Sequence, residues 1–218
     1  MSTLDIEQRS DAWFAARAGK FTGSRFSSLM ARLKNGEPGA SCQNLLAALV
    51  IERLTGRPTE MYVNAAMERG TLLEPHALAA YTERTGNAVK TVGFVVHHWL
   101  DYVGVSPDGL IGEDGLVEIK CPSAENKHLD ALLHANHAAE YKWQIQGQMW
   151  VTGRQWCDAV SYHPGWPDHM TLAITRVHRD AAMQQALMES CIWGNDQILK
   201  SIAALTEKFP DPRDEVAF

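Results

Sequence analysis

The chain contains 218 residues, of which 45% are hydrophobic, so it can bury a substantial core. It has no apolar run of the roughly 20 residues that cross a bilayer. Its first residues lack the basic and apolar regions of a signal peptide. These features argue against membrane and secreted proteins, and we expect one domain over residues 1–218 that acts in the cytoplasm without a membrane partner.

A formal net charge of −6 argues against a general nucleic-acid binder, because neutralising phosphates requires clustered Lys and Arg. Residues 1–60 nevertheless hold eight basic and six acidic residues, which leaves twelve of the 20 basic and twenty of the 26 acidic residues for the remainder. One acid-free basic segment in this N-terminal part contains Arg17, Lys20, Arg25, Arg32 and Lys34. Such charges commonly form a solvated helical face, and contact with DNA is the alternative.

Cysteine spacing gives no sign of a metal centre. Cys42, Cys121, Cys157 and Cys191 are far apart and form none of the paired spacings of zinc or iron–sulfur sites. We expect reduced, buried thiols.

The N-terminal part, to about residue 60, is predicted to be a helical segment, and one further helix follows it. Polar caps, glycine stops and apolar periodicity indicate helices over residues 10–17, 24–33, 41–54 and 64–85, with a polar loop at 34–40. Pro75 lacks an N–H, so an irregularity is expected at Glu74–Pro75.

Strand patterns follow, at residues 88–97, 102–105, 110–111 and 116–120. Beyond them the pattern predicts helices at 124–133 and 137–150, strands at 155–162 and 170–178, and a long C-terminal helix over about 180–207. This order predicts an α/β (α+β) fold with a central mixed β-sheet flanked by helices.

The most informative pattern is Ser106-Pro107-Asp108-Gly109 followed, across a predicted hairpin, by Glu118-Ile119-Lys120. The hairpin sets Asp108 roughly opposite Glu118, and strand alternation gives Glu118 and Lys120 the same face while Ile119 enters the core. Two carboxylates and the Ile119 carbonyl suit Mg²⁺, with Mn²⁺ as a possible substitute. An adjacent lysine can activate water. Each half of the pattern alone is also a common turn or exposed strand pair.

The combined pattern, with nine residues between Asp108 and Glu118, resembles the PD-(D/E)xK nuclease signature. The residues that flank this pattern and other segments of the chain make the resemblance more specific. Residues 106–109, 118–122 and 144–152, with Trp13–Arg17, Thr22–Ser24 and Gly70–Glu74 upstream, resemble the lambda exonuclease family, also called YqaJ-like viral recombinases. The likeness covers about residues 8–163.

This resemblance implies a restriction-endonuclease-like core and roles for individual residues. It implies Asp108, Glu118, Ile119 and Glu74 as metal-binding positions, Lys120 as the group that activates water, and Gln144 as a residue near the water and the scissile phosphate. It implies that Arg17, Ser24 and Ser106 hold a 5′-terminal phosphate, and it favours DNA contact by the basic segment, including Lys20 and Arg25. Arginine and hydroxyl groups suit a phosphate ligand.

By the same resemblance, the chain is expected to be a bacterial or phage-encoded, magnesium-dependent 5′-to-3′ exonuclease acting on linear double-stranded DNA. It would release mononucleotides and leave 3′ overhangs for a single-strand annealing protein, and it would act as a homotrimeric ring around DNA. Two alternatives remain open: an endonuclease with the same catalytic core, and an inactive scaffold that binds DNA ends during recombination.

Overall fold

The computed structural model describes residues 2–59 and 65–211, which form two mixed sheets flanked by helices. The strands are β1 (Ser2–Leu4), β2 (Phe21–Thr22), β3 (Val89–Lys90), β4 (Phe94–Val96), β5 (Val103–Val105), β6 (Gly109–Ile111), β7 (Gly115–Lys120), β8 (Trp156–Tyr162) and β9 (Leu172–His178). The α-helices are α1 (Asp11–Arg17), α2 (Phe26–Leu29), α3 (Ala40–Thr55), α4 (Ala65–Thr85), α5 (Glu125–His134), α6 (Asn136–Glu140), α7 (Lys142–Thr152) and α8 (Ala181–Lys208). Short 3₁₀ helices cover Gly23–Arg25 and Asp168–Met170. The predicted fold class is confirmed.

The larger sheet has the order β3-β6-β7-β8-β9 and lies between two helical layers. On one face, Val117 and Ile119 of β7 pack with Tyr81 of α4. On the other face, Leu116 packs with Ile145 of α7. Because β7 alternates, its residues 118 and 120 share the α7 face with Leu116.

The smaller sheet has the order β1-β4-β5-β2, and its core includes side chains of α3 and α8. Strand β5 ends at Val105 in this sheet, and β6 begins at Gly109 in the larger one. The three residues between them, Ser106, Pro107 and Asp108, therefore connect the two sheets. This junction brings the N-terminal helical segment close to the β6–β7 hairpin.

Several predicted elements need correction. The helix expected over residues 24–33 is a 3₁₀ turn and the four-residue α2. The strand expected over 88–97 divides into β3 and β4 in different sheets. Between them, Gly93 lies so close to the Ile6 backbone that a Cβ there would overlap it. The helix expected over 137–150 divides at Tyr141, whereas α4 continues through Pro75. The predicted start of α4 at Asn64 lies outside the described residues.

Candidate active site

Two cavities meet at the junction between the sheets. The first, of about 790 Å³, is bounded by α1, the 3₁₀ helix Gly23–Arg25, the β6–β7 hairpin and α7. Its polar lining includes Arg9, Arg17, Ser24, Ser106, Asp108, Glu118, Lys120, Gln144 and Gln148. The second, of about 500 Å³, includes Arg9, Glu74, Asp108, Ile119, Lys120 and Cys121 in its lining. Asp108 and Lys120 border both cavities.

The hairpin aligns the two predicted carboxylates as the sequence implies. Gly109 pairs with Val117, so the next position outward sets Asp108 opposite Glu118. The Ile119 backbone N–H donates a hydrogen bond of 2.6 Å to Oδ2 of Asp108. Burial raises the pKa of Asp108 well above its usual value, and the negative charge of Glu118 raises it further. Since two adjacent buried carboxylates repel each other, a cation between them would relieve this repulsion.

Glu118 is 2% exposed and accepts hydrogen bonds from three side chains. Lys120 Nζ and Gln144 Nε2 both reach Oε1, at 2.6 and 2.5 Å. Gln148 Nε2 reaches Oε2 at 2.6 Å. These donors fix the orientation of a carboxylate that is almost completely removed from water.

The charge of Lys120 is controlled by the same carboxylates. Burial alone would lower the pKa of this amine, but the negative charges of Glu118 and Asp108 outweigh burial and raise it. The ammonium also lies 4.7 Å from the centre of the Tyr141 ring, within the range of a cation–π contact. Lys120 is therefore held as a cation between the two carboxylates and the Tyr141 ring.

Glu74 lies on α4 across the second cavity and forms an ion pair with Arg9. Its negative charge contributes to the raised pKa of Asp108. Within residues 2–59 and 65–211, no three His, Cys, Asp or Glu side chains are grouped tightly enough to hold a metal ion. Glu74 is thus close enough to influence Asp108, but it does not form a compact three-carboxylate cluster with Asp108 and Glu118. Its role as a metal ligand stays a prediction.

The three residues predicted to hold a terminal phosphate are brought together in the first cavity. Arg17 Nη2 lies 3.3 Å from Ser24 Oγ. The indole N–H of Trp13 donates a hydrogen bond of 2.8 Å to Ser106 Oγ. The Arg17 guanidinium stacks on the same indole, 3.9 Å from the ring centre. Trp13 therefore orients both Arg17 and Ser106. Together with Ser24, these three residues form one wall of the first cavity, which we call the Arg17 wall.

The other two predicted DNA-binding residues lie elsewhere. Arg25 is 6% exposed, and its guanidinium pairs with both oxygens of Glu52 at 2.9 and 2.7 Å. Its burial does not support the predicted DNA contact, because the charge is already matched inside the protein. Lys20 donates to the Asp101 carbonyl at 2.6 Å beside a separate cavity. The basic segment is not one continuous surface.

Sequence reasoning missed three residues of the site. Gln148 is one helical turn from Gln144, and this spacing was a usable signal. Trp13 lies in the predicted N-terminal motif, but its partner Ser106 is 93 positions away. Arg9 precedes α1 and carries no local signal that would link it to Glu74.

The family model of the YqaJ-like viral recombinase domain matches residues 12–155, which include the hairpin, α7 and the Arg17 wall. The chain belongs to the YqaJ-like viral recombinase domain family. No curated protein is a significant match to this YqaJ-like chain.

Solved structures resemble this YqaJ-like chain over most of its length. An alkaline exonuclease (LHK-Exo) from Laribacter hongkongensis is 42% identical, with a TM-score of 0.83 over 91% of this chain and 97% of that one. The same exonuclease in complex with dAMP, also 42% identical and with the same coverage, gives a TM-score of 0.84. A phage-related exonuclease from Haemophilus somnus 129PT, 14% identical with a TM-score of 0.74 over 85% of this chain and 96% of that one, shares the fold.

Proposed function

We propose that this protein is a magnesium-dependent 5′-to-3′ exonuclease that acts on linear double-stranded DNA, releases mononucleotides and leaves 3′ overhangs. A nuclease role is supported by the family and by the 42% identity to an alkaline exonuclease. The observation that carries the finer proposal is one cavity lined both by Asp108, Glu118 and Lys120 and by the Arg17 wall. A phosphate held on that wall would align the adjacent phosphodiester with the carboxylates.

The donor set fits a divalent cation. Asp108, Glu118 and the Ile119 carbonyl would hold Mg²⁺ or Mn²⁺, with Glu74 contributing from the second cavity, because hard oxygen ligands are those that Mg²⁺ prefers. Burial raises the pKa of Asp108 and the charge of Glu118 raises it further, and such a cation would offset this repulsion. When bound, the cation supplies electrostatic stabilisation of the charge that develops on the phosphate and the leaving oxygen.

The protein's own groups would orient the reactants. Lys120 and Gln144 border the cavity beside Glu118 and would hold the attacking water by hydrogen bonds. Lys120 would act as the base: if the carboxylate charges that raise its pKa were offset, its buried amine would favour the neutral form, which can accept a proton from the attacking water. Arg17, Ser24 and Ser106 would bind the terminal phosphate through charge-assisted hydrogen bonds.

The decisive experiment compares wild type with Lys120→Ala on linear duplexes that carry a 5′-phosphate or a 5′-hydroxyl, in magnesium. We expect wild type to degrade linear DNA, faster with the phosphate, and Lys120→Ala to lose at least a hundredfold in rate. Lys90→Ala, at an exposed lysine of the neighbouring strand β3, is the matched control and should retain activity. Equal activity of Lys120→Ala would overturn the role of Lys120.

Closed circular DNA tests the reaction class. An exonuclease leaves it intact, whereas substantial cutting of circles would establish an endonuclease. If the protein bound DNA ends but showed no nuclease activity in Mg²⁺ or Mn²⁺, it would be a recombination scaffold instead.

The proposed function also includes an oligomeric state for the enzyme and a protein partner. A homotrimeric ring around DNA would retain the substrate between cleavages, and a single-strand annealing protein would take the exposed 3′ strand. Mass measurement in solution tests the ring, because a monomeric active enzyme would contradict it.

A further inference from the structure

Arg9 has an uncommon backbone conformation at the entrance to the site. In the described part of the chain, only Arg9 and Ala135 are non-glycine residues with positive φ, at 70° and 55°. The left-handed region is unfavourable for side chains with a Cβ, and residues held there concentrate at functional sites. Glycine would satisfy this backbone without that cost.

The residues on either side hold Arg9 in this conformation. Gln8 Nε2 donates to the Val92 carbonyl at 2.8 Å and to the Pro107 carbonyl at 3.2 Å. Ser10 caps α1 by accepting from the Trp13 N–H at 3.2 Å, and its hydroxyl donates to the Glu7 carbonyl at 2.6 Å. The turn is thereby attached next to Asp108, and it directs the Arg9 side chain to the cleft.

The ion pair with Glu74 does not account for this arrangement by itself. The side chains of Arg9 and Glu74 are 43% and 20% exposed, and exposed ion pairs add little to stability. A guanidinium carries five N–H donors, so Arg9 can bind a second anion while it remains beside Glu74. Arg9 also lines both cavities, whereas Arg17, Ser24 and Ser106 line only the first.

The charge of the cleft indicates which second anion Arg9 would bind. Asp108, Glu118 and Glu74 make the centre acidic, so a polyanionic strand needs cations beside them to approach. Arg9 is the arginine common to the linings of both cavities. Its donors are suited to phosphate oxygens, which arginine binds in a bidentate manner.

We propose that Arg9 binds an internal backbone phosphate of the DNA strand, on the Glu74 side of Asp108, distinct from the terminal phosphate assigned to Arg17. The inference rests on the proposed exonuclease function and adds a second phosphate contact to the same site. Arg9 is thus a substrate-positioning residue whose backbone strain is retained for binding.

The test measures DNA binding as well as turnover, for wild type, Arg9→Gln, Arg9→Lys and Arg17→Gln. Each protein is titrated with 5′-phosphorylated and 5′-hydroxyl duplexes in Ca²⁺ at several salt concentrations. We expect Arg9→Gln to weaken binding of both duplexes by about tenfold and to reduce the slope of log K against log[salt] by about one. Arg17→Gln should weaken only the phosphorylated duplex. Arg9→Lys should keep the salt slope.

Two controls separate binding from folding. Arg84→Gln removes an exposed arginine near the far end of α4 and should leave both affinity and slope unchanged. Arg9→Gly removes the side chain while favouring the backbone conformation, so it should melt no lower than wild type and yet bind DNA as weakly as Arg9→Gln.

The outcomes distinguish this proposal from the proposed function. Unchanged affinity and slope in Arg9→Gln, with an active wild type, would overturn the Arg9 contact alone. Weakening confined to the phosphorylated duplex would assign Arg9 to the terminal phosphate and overturn the internal site. A wild type that cannot degrade linear DNA would instead remove the exonuclease proposal, whatever the binding data show.

Discussion

Gln148 donates a hydrogen bond of 2.6 Å from Nε2 to Oε2 of Glu118, from a position one helical turn beyond Gln144. Gln144 Nε2 donates a hydrogen bond to Oε1, the other oxygen of the same carboxylate. Helix α7 therefore holds Glu118 at both oxygens, and the orientation of this carboxylate depends on the position of the helix.

Replacing Gln148 by leucine should lower kcat by about 10–100-fold, because residues that orient a metal-binding carboxylate have effects of this size. KM should change little, since Gln148 is fully buried beside Glu118 and is not among the residues proposed to bind the terminal phosphate. Steady-state kinetics on a linear duplex provides both values.

Gln146→Leu is the control, because Gln146 faces the opposite side of α7. Its Nε2 donates to the His178 carbonyl at 2.8 Å, and its Oε1 accepts from the Asp180 N–H at 2.9 Å. This variant should lose stability but retain kcat. A Gln148→Leu enzyme with normal kcat would show that Gln144 and Lys120 suffice to orient Glu118.

Trp13→Phe should reduce the preference for 5′-phosphorylated ends. The change removes the 2.8 Å hydrogen bond to Ser106 and keeps an aromatic ring under Arg17. We expect the ratio of rates on phosphorylated and hydroxyl ends to fall about three- to tenfold, with the hydroxyl-end rate nearly unchanged. An unaltered ratio would mean that Ser106 needs no donor from Trp13.

The β6–β7 hairpin was predictable because the sequence pattern that specifies it is local. Alternation along β7 assigned Glu118 and Lys120 to one face, and the turn at Gly112 joins two short strands whose register follows from the loop length. Helical spacing likewise places Gln144 and Gln148 on one face of α7, although only Gln144 was predicted as a site residue. These are periodicities of 2.0 and 3.6 residues, which a sequence displays directly.

The parts of the fold and of the site that were not predicted depend on contacts between segments that are distant in the sequence. Strand β1 was not predicted, because it pairs with β4, whose residues lie 90 to 94 positions away along the chain. Arg25 was grouped with exposed basic residues because a sequence shows charge and not burial. Its partner Glu52 lies on a different helix, and only the assembled fold brings the two together.

Gly147→Ala should destabilise the protein through the packing of α7. A Cβ at this position would overlap the Phe26 ring, so the helix must move away from α2. We expect a loss of about 1–3 kcal/mol, or a Tm lower by several degrees. Because Gly147 adjoins Gln148, kcat should also fall.

Gly70→Ala is the matched control for this glycine. Gly70 lies within α4, and a Cβ there meets no atom within 4 Å, so alanine should stabilise the helix by about 0.5–1 kcal/mol. Equal stability of Gly147→Ala and wild type, measured by thermal unfolding, would contradict the predicted overlap.

Glu52→Gln should lower stability at neutral pH and change its dependence on acid. Burial alone would raise the pKa of Glu52, but hydrogen bonds from Arg25, Thr59 and Gly19 outweigh burial and lower the pKa to about 2. The variant removes the negative charge that faces the buried Arg25 guanidinium, which costs about 3 kcal/mol.

The pH dependence follows from the direction of that shift. The folded pKa of Glu52 is below that of the unfolded chain, so its stabilisation is fully present above about pH 4.5 and is lost as pH falls towards about 2. The difference in unfolding free energy between wild type and Glu52→Gln, measured by denaturant titration at each pH, should therefore shrink over this interval. Glu37→Gln, at an exposed loop glutamate, should show no such trend. A difference that stayed constant down to pH 2.5 would show that Glu52 is not held ionised by its partners. Because Gly19 follows α1 and Thr59 lines the first cavity, loss of this charge should also disturb the wall that carries Arg17.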